Sequence, residues 1–226
     1  VWAIISEMHH ADIADLLERL NDEDRGELLA IMGPEFDGDV LIELDETVRD
    51  QVIEKVGLDT VAQAVSKLES DDALEIIEEL EKHEQEQVLE SIPDEDRAFI
   101  EESLNFPEDS AGRLMQRELV TVPTFWSVGD AIDFIRECAD GTGNELPTQF
   151  YVVYVVDPAY RPVGMVWLDQ LLRTRRPVKL TDVMEPDMKV IPVYTDQEEV
   201  TFLFRQRDLL SAPVVDEGGR LIGAIT

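Results

Sequence analysis

Phe106-Pro107-Glu108-Asp109-Ser110-Ala111-Gly112-Arg113-Leu114-Met115 divides the chain into two halves of different character. Residues 1–110 hold 34 Asp and Glu against 7 Lys and Arg, and residues 111–226 hold 17 against 12, so the net charge is −27 before Ala111 and −5 from there on. The first half is an acidic object and the second has the balance of an ordinary domain. With 226 residues there is room for two domains, each with its own core. Apolar content of 44% is that of folded protein, so the charge does not imply disorder.

The overall charge of −32 repels phosphate backbones and anionic lipid and attracts cations, which argues against nucleic acid as a partner. The single cysteine, Cys138, forms no intrachain disulfide and lies in a helical pattern, which points to a packed thiol in a reducing setting. The longest apolar run, Phe150 to Val156, is far too short to span a bilayer, and no signal peptide is visible. Val1 enters mid-helix and the chain stops within a strand-like Leu221-Ile222-Gly223-Ala224-Ile225-Thr226, which reads as a piece of a longer protein.

Working back from the junction, the acidic half repeats. Amphipathic blocks run from His10 to Leu20, Asp22 to Met32, Phe36 to Leu44, Glu46 to Val56, Leu58 to Leu68, Asp72 to Leu80, His83 to Ile92 and Asp94 to Leu104. Apolar residues recur at three and four, as in Ile13, Leu16, Leu17 and Leu20, which predicts helices of about three turns. Asn21, Ser70 and Pro93-Asp94 mark helix starts, where carboxylates and amides satisfy free N–H groups. Helices this short bury their faces only by stacking, so an all-α superhelical array is expected.

Forward of the junction the chain duplicates itself. Val155-Val156-Asp157-Pro158-Ala159-Tyr160-Arg161-Pro162-Val163-Gly164 answers Val214-Val215-Asp216-Glu217-Gly218-Gly219-Arg220-Leu221-Ile222-Gly223, and upstream Met115 and Pro123 answer Met184 and Pro192. The loop Asp140 to Pro147 accounts for the difference in spacing as an insertion. The first copy reads as strand Leu119 to Val122, helix Val128 to Cys138, strand Phe150 to Val156, strand Val163 to Leu168 and a closing helix Asp169 to Thr174. Consecutive apolar residues in the middle strand predict cover on both of its faces.

These paired units, each with Val-Val-Asp-x-x-x-Arg-x-x-Gly at its last hairpin, resemble tandem CBS domains. The acidic helical array joined to them through Glu108-Asp109-Ser110-Ala111-Gly112 resembles the cytosolic region of the MgtE family of magnesium channels and transporters. The resemblance implies a helical N domain over 1–105, a first CBS domain over 106–178 and a second over 179–226, truncated at its C-terminus. The expected fold is therefore mixed, an all-α array followed by an α/β (α+β) CBS pair. The resemblance further implies a non-enzymatic sensor on the cytoplasmic side of the membrane, soluble as a fragment. It implies homodimerisation through the CBS domains and a transmembrane pore later in the same full-length chain. Mg2+ bound between the helical domain and the CBS pair favours the closed state in that family.

The resemblance points, residue by residue, to Asp71, Asp72 and Glu75 after Ser70 and to Asp39 as metal-contacting positions in the first half. In the second half it points to Asp196, Glu198 and Asp208, with a backbone carbonyl from Gly112 or Arg113. Mg2+ suits such a set, because it takes one or two carboxylates and keeps several waters. For each carboxylate the plain alternative is a solvated or helix-capping role. His9-His10 with Asp12 reads as surface, since adjacent His residues on a helix point apart.

Adenine-nucleotide sensing by the CBS pair, with AMP or ATP as ligand, is the alternative function. Trp167 and Gln170 speak against it in the first copy, because they stand where nucleotide-binding CBS domains carry a hydroxyl residue and an Asp; in the second copy Thr226 matches the hydroxyl. Acidity serving only solubility would be spread over both halves, and here it is not. No nucleophile with a base, phosphate loop or fixed metal-ligand motif suggests an enzyme.

Overall fold

The computed structural model describes residues 2–33, 36–139 and 146–226, the side chains of residues 2 and 3 excepted. It divides into two units, Val1–Glu102 and Ser103–Thr226. The helices of the first half are α1 (Trp2–Ile5), α2 (His10–Arg19), α3 (Asp22–Met32), α4 (Asp39–Glu43), α5 (Glu46–Val56), α6 (Leu58–Val65), α7 (Ser70–Glu79), α8 (Lys82–Ser91) and α9 (Asp94–Leu104). The predicted blocks are thus helices, with one clear exception. The block from Phe36 to Leu44 forms only the five residues of α4, although Phe36, Val40, Leu41 and Leu44 are all buried.

Helices pack against the helix two positions ahead, α2 on α4, α3 on α5 and α6 on α8, as expected for short elements that cannot bury a face alone. The core is a stripe of residues such as Leu17, Val52, Val61, Leu74, Ile77 and Val88, each at most 1% exposed. Asn21 caps α3, its Oδ1 accepting from the N–H groups of Glu23 and Asp24 at 3.0 Å. The cap of α7 is Glu69, not Ser70, which is the first helical residue and is buried.

The far ends of these helices are closed by a device that the periodicity does not announce. Arg25, in the first turns of α3, donates from Nε to the Leu17 carbonyl and from Nη2 to the Leu20 carbonyl, both at 2.9 Å, closing α2. Arg49 does the same from α5, donating Nη2 to the carbonyls of Ile42 and Leu44 at 3.3 Å. Gln85 of α8 repeats it with Nε2 on the carbonyls of Leu80 (3.0 Å) and Glu78 (3.4 Å). These carbonyls lie at the helix ends, where intrahelical donors run out, so each long side chain brings a donor to acceptors that are costly to bury unpaired.

The second unit contains α10 (Ala111–Leu114), β1 (Thr121–Pro123), α11 (Val128–Ala139), β2 (Val152–Val156), β3 (Pro162–Trp167), α12 (Leu168–Arg173), β4 (Ile191–Pro192), α13 (Gln197–Arg207), β5 (Ala212–Val215) and β6 (Leu221–Ile225). Each copy is a three-stranded sheet, β1-β2-β3 and β4-β5-β6, whose first pair is parallel and second antiparallel. The first strand is shorter and later than expected, Thr121–Pro123. Most of the inserted loop, residues 140–145, lies outside the described residues. All five residues of β2 are buried: Val153 and Val155 enter one core, while Val152, Tyr154 and Val156 enter another with Leu221 and Ala224. Cover on both faces explains the unbroken apolar run.

The duplication is geometric. The last hairpin has a register shift at Val155/Val156 in one copy and at Val214/Val215 in the other. Asp157 Oδ1 accepts from the Arg161 N–H (2.9 Å), and Asp216 Oδ1 accepts from the Arg220 N–H (2.8 Å). The left-handed turn position is Gly219 (φ 76°) in the second copy and Tyr160 (φ 60°) in the first. A non-glycine residue there carries about 1 kcal/mol of strain.

Between the copies the leading segments are exchanged. Gln116 and Ala224 trade backbone hydrogen bonds at 2.8 and 3.0 Å, and Glu185 and Met165 do so at 2.7 and 3.0 Å. A Cβ on Gly223 would sit 2.7 Å from Met115 Sδ and 2.9 Å from the Gln116 carbonyl, and one on Gly164 would sit 2.8 Å from Met184 Sδ. Both glycines are therefore required by the approach of the other copy's leading strand. Gly223→Ala and Gly164→Ala are each expected to lower stability by about 1–3 kcal/mol through overpacking. Unchanged thermal melting would show that the two segments separate freely.

Candidate metal site

Carboxylates select a hard divalent cation, and α7 presents three of the predicted ones in its first turns. Asp71, Asp72 and Glu75 follow Ser70, with Asp71 and Glu75 four residues apart on one face. Asp71 is the unusual member. Its Oδ1 is buried without a hydrogen-bond partner among the described residues. Burial, and then the charge of Asp72, push its carboxyl up to about 7 despite hydrogen bonds from the first backbone N–H groups of α7. An orphaned acceptor on a carboxylate beside a second carboxylate is the electrostatic situation that a bound cation relieves.

Glu75 is differently placed. Its Oε1 accepts from Arg49 Nη1 at 3.1 Å, and Glu79 Oε2 accepts from the same nitrogen at 2.7 Å. The Arg49 side chain is 7% exposed, whereas those of Glu75 and Glu79 are 51% and 31% exposed. Asp39 opens α4, its Oδ2 4.0 Å from His10 Nδ1, and Glu43 Oε1 lies 3.7 Å from His10 Nε2. His10 therefore bridges α2 to α4 rather than standing free at the surface. His9 is the cap of α2, accepting from the Ala11 N–H, so the two rings do not diverge as helix neighbours would but lie 3.9 Å apart.

In the second unit, Asp196 is the cap of α13, with Oδ1 accepting from the Glu198 N–H at 2.8 Å; both residues are exposed. The segment Asp109–Gly112 runs against it. Ala111 donates to the Thr195 carbonyl at 2.7 Å, Gly112 donates to the Val193 carbonyl at 2.9 Å, and Gln197 Nε2 donates to Asp109 Oδ1 at 2.8 Å. A Cβ on Gly112 would lie 2.6 Å from the Phe106 ring, which explains the glycine of the junction. The Arg113 side chain closes α9 on the carbonyls of Leu104 and Phe106, both at 2.9 Å, and burial lowers its pKa. Asp208 ends α13 in a left-handed conformation, φ 52°. It lies about 18 Å along the helix from Asp196, so these two cannot share an ion.

The structure thus sets Asp71, Asp72 and Glu75 in the first turns of one helix in the first unit, and in the second it runs the Asp109–Gly112 segment beside Asp196 at the cap of α13. Among the described residues, no three of His, Cys, Asp and Glu converge within either unit to hold a metal. Asp109 and Arg49 were missed by sequence reasoning. Arg49 had a signal, because Arg25 and Arg49 stand at the same place in two blocks of a half with only 7 basic residues. At the nucleotide positions, Gln170 Nε2 donates to the Val183 carbonyl at 2.9 Å and Trp167 is the cap of α12. Among the described residues, no helix is long and apolar enough to cross a membrane.

Residues 8–109 match the MgtE intracellular N domain family and residues 180–226 match the CBS domain family. The chain is 35% identical over 130 residues to a magnesium transporter MgtE of Thermus thermophilus, covering 58% of this chain and 28% of that one. It is 31% identical over 123 residues to a magnesium transporter MgtE of Bacillus subtilis, covering 54% and 26%. The matched region is thus about a quarter of these curated relatives. A crystal structure of the cytosolic domain of the Mg2+ channel MgtE in complex with ATP aligns with TM-score 0.87 at 26% identity, covering 99% of this chain and 90% of that one. A structure of the soluble part of a magnesium transporter aligns with TM-score 0.84 at 24% identity, covering 97% and 84%, which shows the shared fold. With an acidic helical N domain and a CBS pair in one chain, the protein matches the cytosolic region of the MgtE family.

Proposed function

We propose that this chain is the magnesium-sensing regulatory region of a magnesium channel or transporter, acting on the cytoplasmic side of the membrane. In this reading it pairs through its CBS domains with a second copy and is followed in the full-length chain by a transmembrane pore. Mg2+ held between the acidic array and the CBS pair favours the closed state. The observation that carries the reading is the buried, unpartnered Oδ1 of Asp71 beside Asp72, at the head of a helix in a domain of large negative charge. Asp39, Asp71, Asp72 and Glu75 are the proposed contributors from the array, and Asp196, Glu198, Asp208 and the carbonyl of Gly112 or Arg113 those from the CBS pair. A divalent ion cancels the mutual repulsion of such carboxylates, about 3 kcal/mol for a pair 6 Å apart at an effective dielectric of 20.

Millimolar Mg2+ is expected to compact the protein, whereas monovalent salt of equal ionic strength acts more weakly. X-ray scattering measures this, and a radius of gyration indifferent to the choice of cation would end the proposal. Asp71→Asn with Asp72→Asn, and separately Asp196→Asn with Glu198→Gln, are expected to weaken Mg2+ binding in calorimetry; wild-type heats in both would assign these residues to capping alone. ATP is a second ligand, favoured by the likeness to the ATP-bound domain. A melting temperature raised by nucleotide without Mg2+ distinguishes that role.

A further inference from the structure

We infer that Arg49 is an internal competitor for Glu75 and thereby sets the Mg2+ concentration at which the acidic array responds, a role that rests on the magnesium reading above. The guanidinium is almost wholly buried and is held on two sides. Nη2 is fixed by the carbonyls of Ile42 and Leu44, and Nη1 by Glu75 Oε1 and Glu79 Oε2. Asp71, Glu75 and Glu79 stand at successive four-residue steps on one face of α7. The first has an acceptor without a partner, and the other two share one fixed cation. An ion that takes Asp71 and Glu75 together must draw Glu75 away from Arg49, and the carbonyl anchors prevent the guanidinium from following. A carboxylate bound by a guanidinium is a weaker ligand for a second cation.

The protein supplies its own controls. Gln85 closes a helix end from the same position with an amide, so Arg49→Gln preserves the cap while removing the cation. Arg25 closes α2 in the same way, but its remaining nitrogen donates to the neutral Gln51, so Arg25→Gln removes a like charge without freeing a carboxylate.

The test is Mg2+ calorimetry, with helicity checked by circular dichroism. Arg49→Gln is expected to tighten Mg2+ binding about three- to tenfold, Arg25→Gln to leave it within twofold, and Arg49→Gln in a Glu75→Gln background to give no gain. Arg49→Lys keeps the charge but loses the fork, so tighter binding by this variant excludes a mere change in field and serves if Arg49→Gln misfolds. Wild-type affinity in both folded Arg49 variants, or the same gain with Glu75 replaced, overturns the inference. Absence of Mg2+ heat from the wild type overturns the magnesium reading itself and is read separately.

Discussion

Asp71→Asn is expected to stabilise the ion-free protein by about 4 kcal/mol at pH 8 and to have little effect below pH 4. The folded carboxyl is raised to about 7 from 3.8, by burial first and Asp72 second. Below pH 4 the group is largely protonated in both states and contributes little. Between pH 4 and 7 the unfolded chain releases a proton that the folded protein retains, so native stability falls as pH rises. Above 7 the penalty is fully present, and the neutral amide escapes it. Urea titrations in chelator from pH 4 to 8 measure the difference, and a gap that does not change with pH would show the carboxyl to be solvated. Saturating Mg2+ is expected to erase the advantage of Asn, because the ion stabilises the charged form.

Arg25→Ala is expected to cost about 3 kcal/mol, more than any exposed substitution in the acidic half. Arg25 is 6% exposed, and its removal leaves the carbonyls of Leu17 and Leu20 without their donor. Arg25→Gln should recover most of the loss, since Gln85 performs the same task elsewhere. Thermal melting followed by helix signal separates the two variants. Equal losses would mean that stem packing, rather than the hydrogen bonds, holds the helices together.

The helical blocks other than the one from Phe36 were legible because a face buried by stacking leaves a three-and-four rhythm of apolar residues. The block from Phe36 was overread for the same reason: its apolar residues are buried, but burial does not require helix, and only Asp39–Glu43 winds. The duplicated hairpins were legible because Asp157 and Asp216 each hold the turn at a fixed distance from Arg161 and Arg220. The metal candidates were legible as residue types at helix starts, not as partners. Whether a carboxylate is orphaned, like Asp71, or held, like Glu75, depends on a buried arginine two helices back in the chain. No local pattern carries that information.

The exchange of leading segments fixes an order of assembly. Met165 and Glu185 are near neighbours in the chain, so the seam that completes the first sheet can close as soon as synthesis passes Glu185. Gln116 must wait for Ala224, and joining segments so far apart costs roughly 1.5 kcal/mol more in chain entropy. Until then Gln116, 4% exposed in the finished protein, keeps its backbone N–H and carbonyl open to any passing strand. A ribosome stalled shortly before Ala224 would therefore hold a nascent chain whose first sheet is finished and whose oldest edge is adhesive.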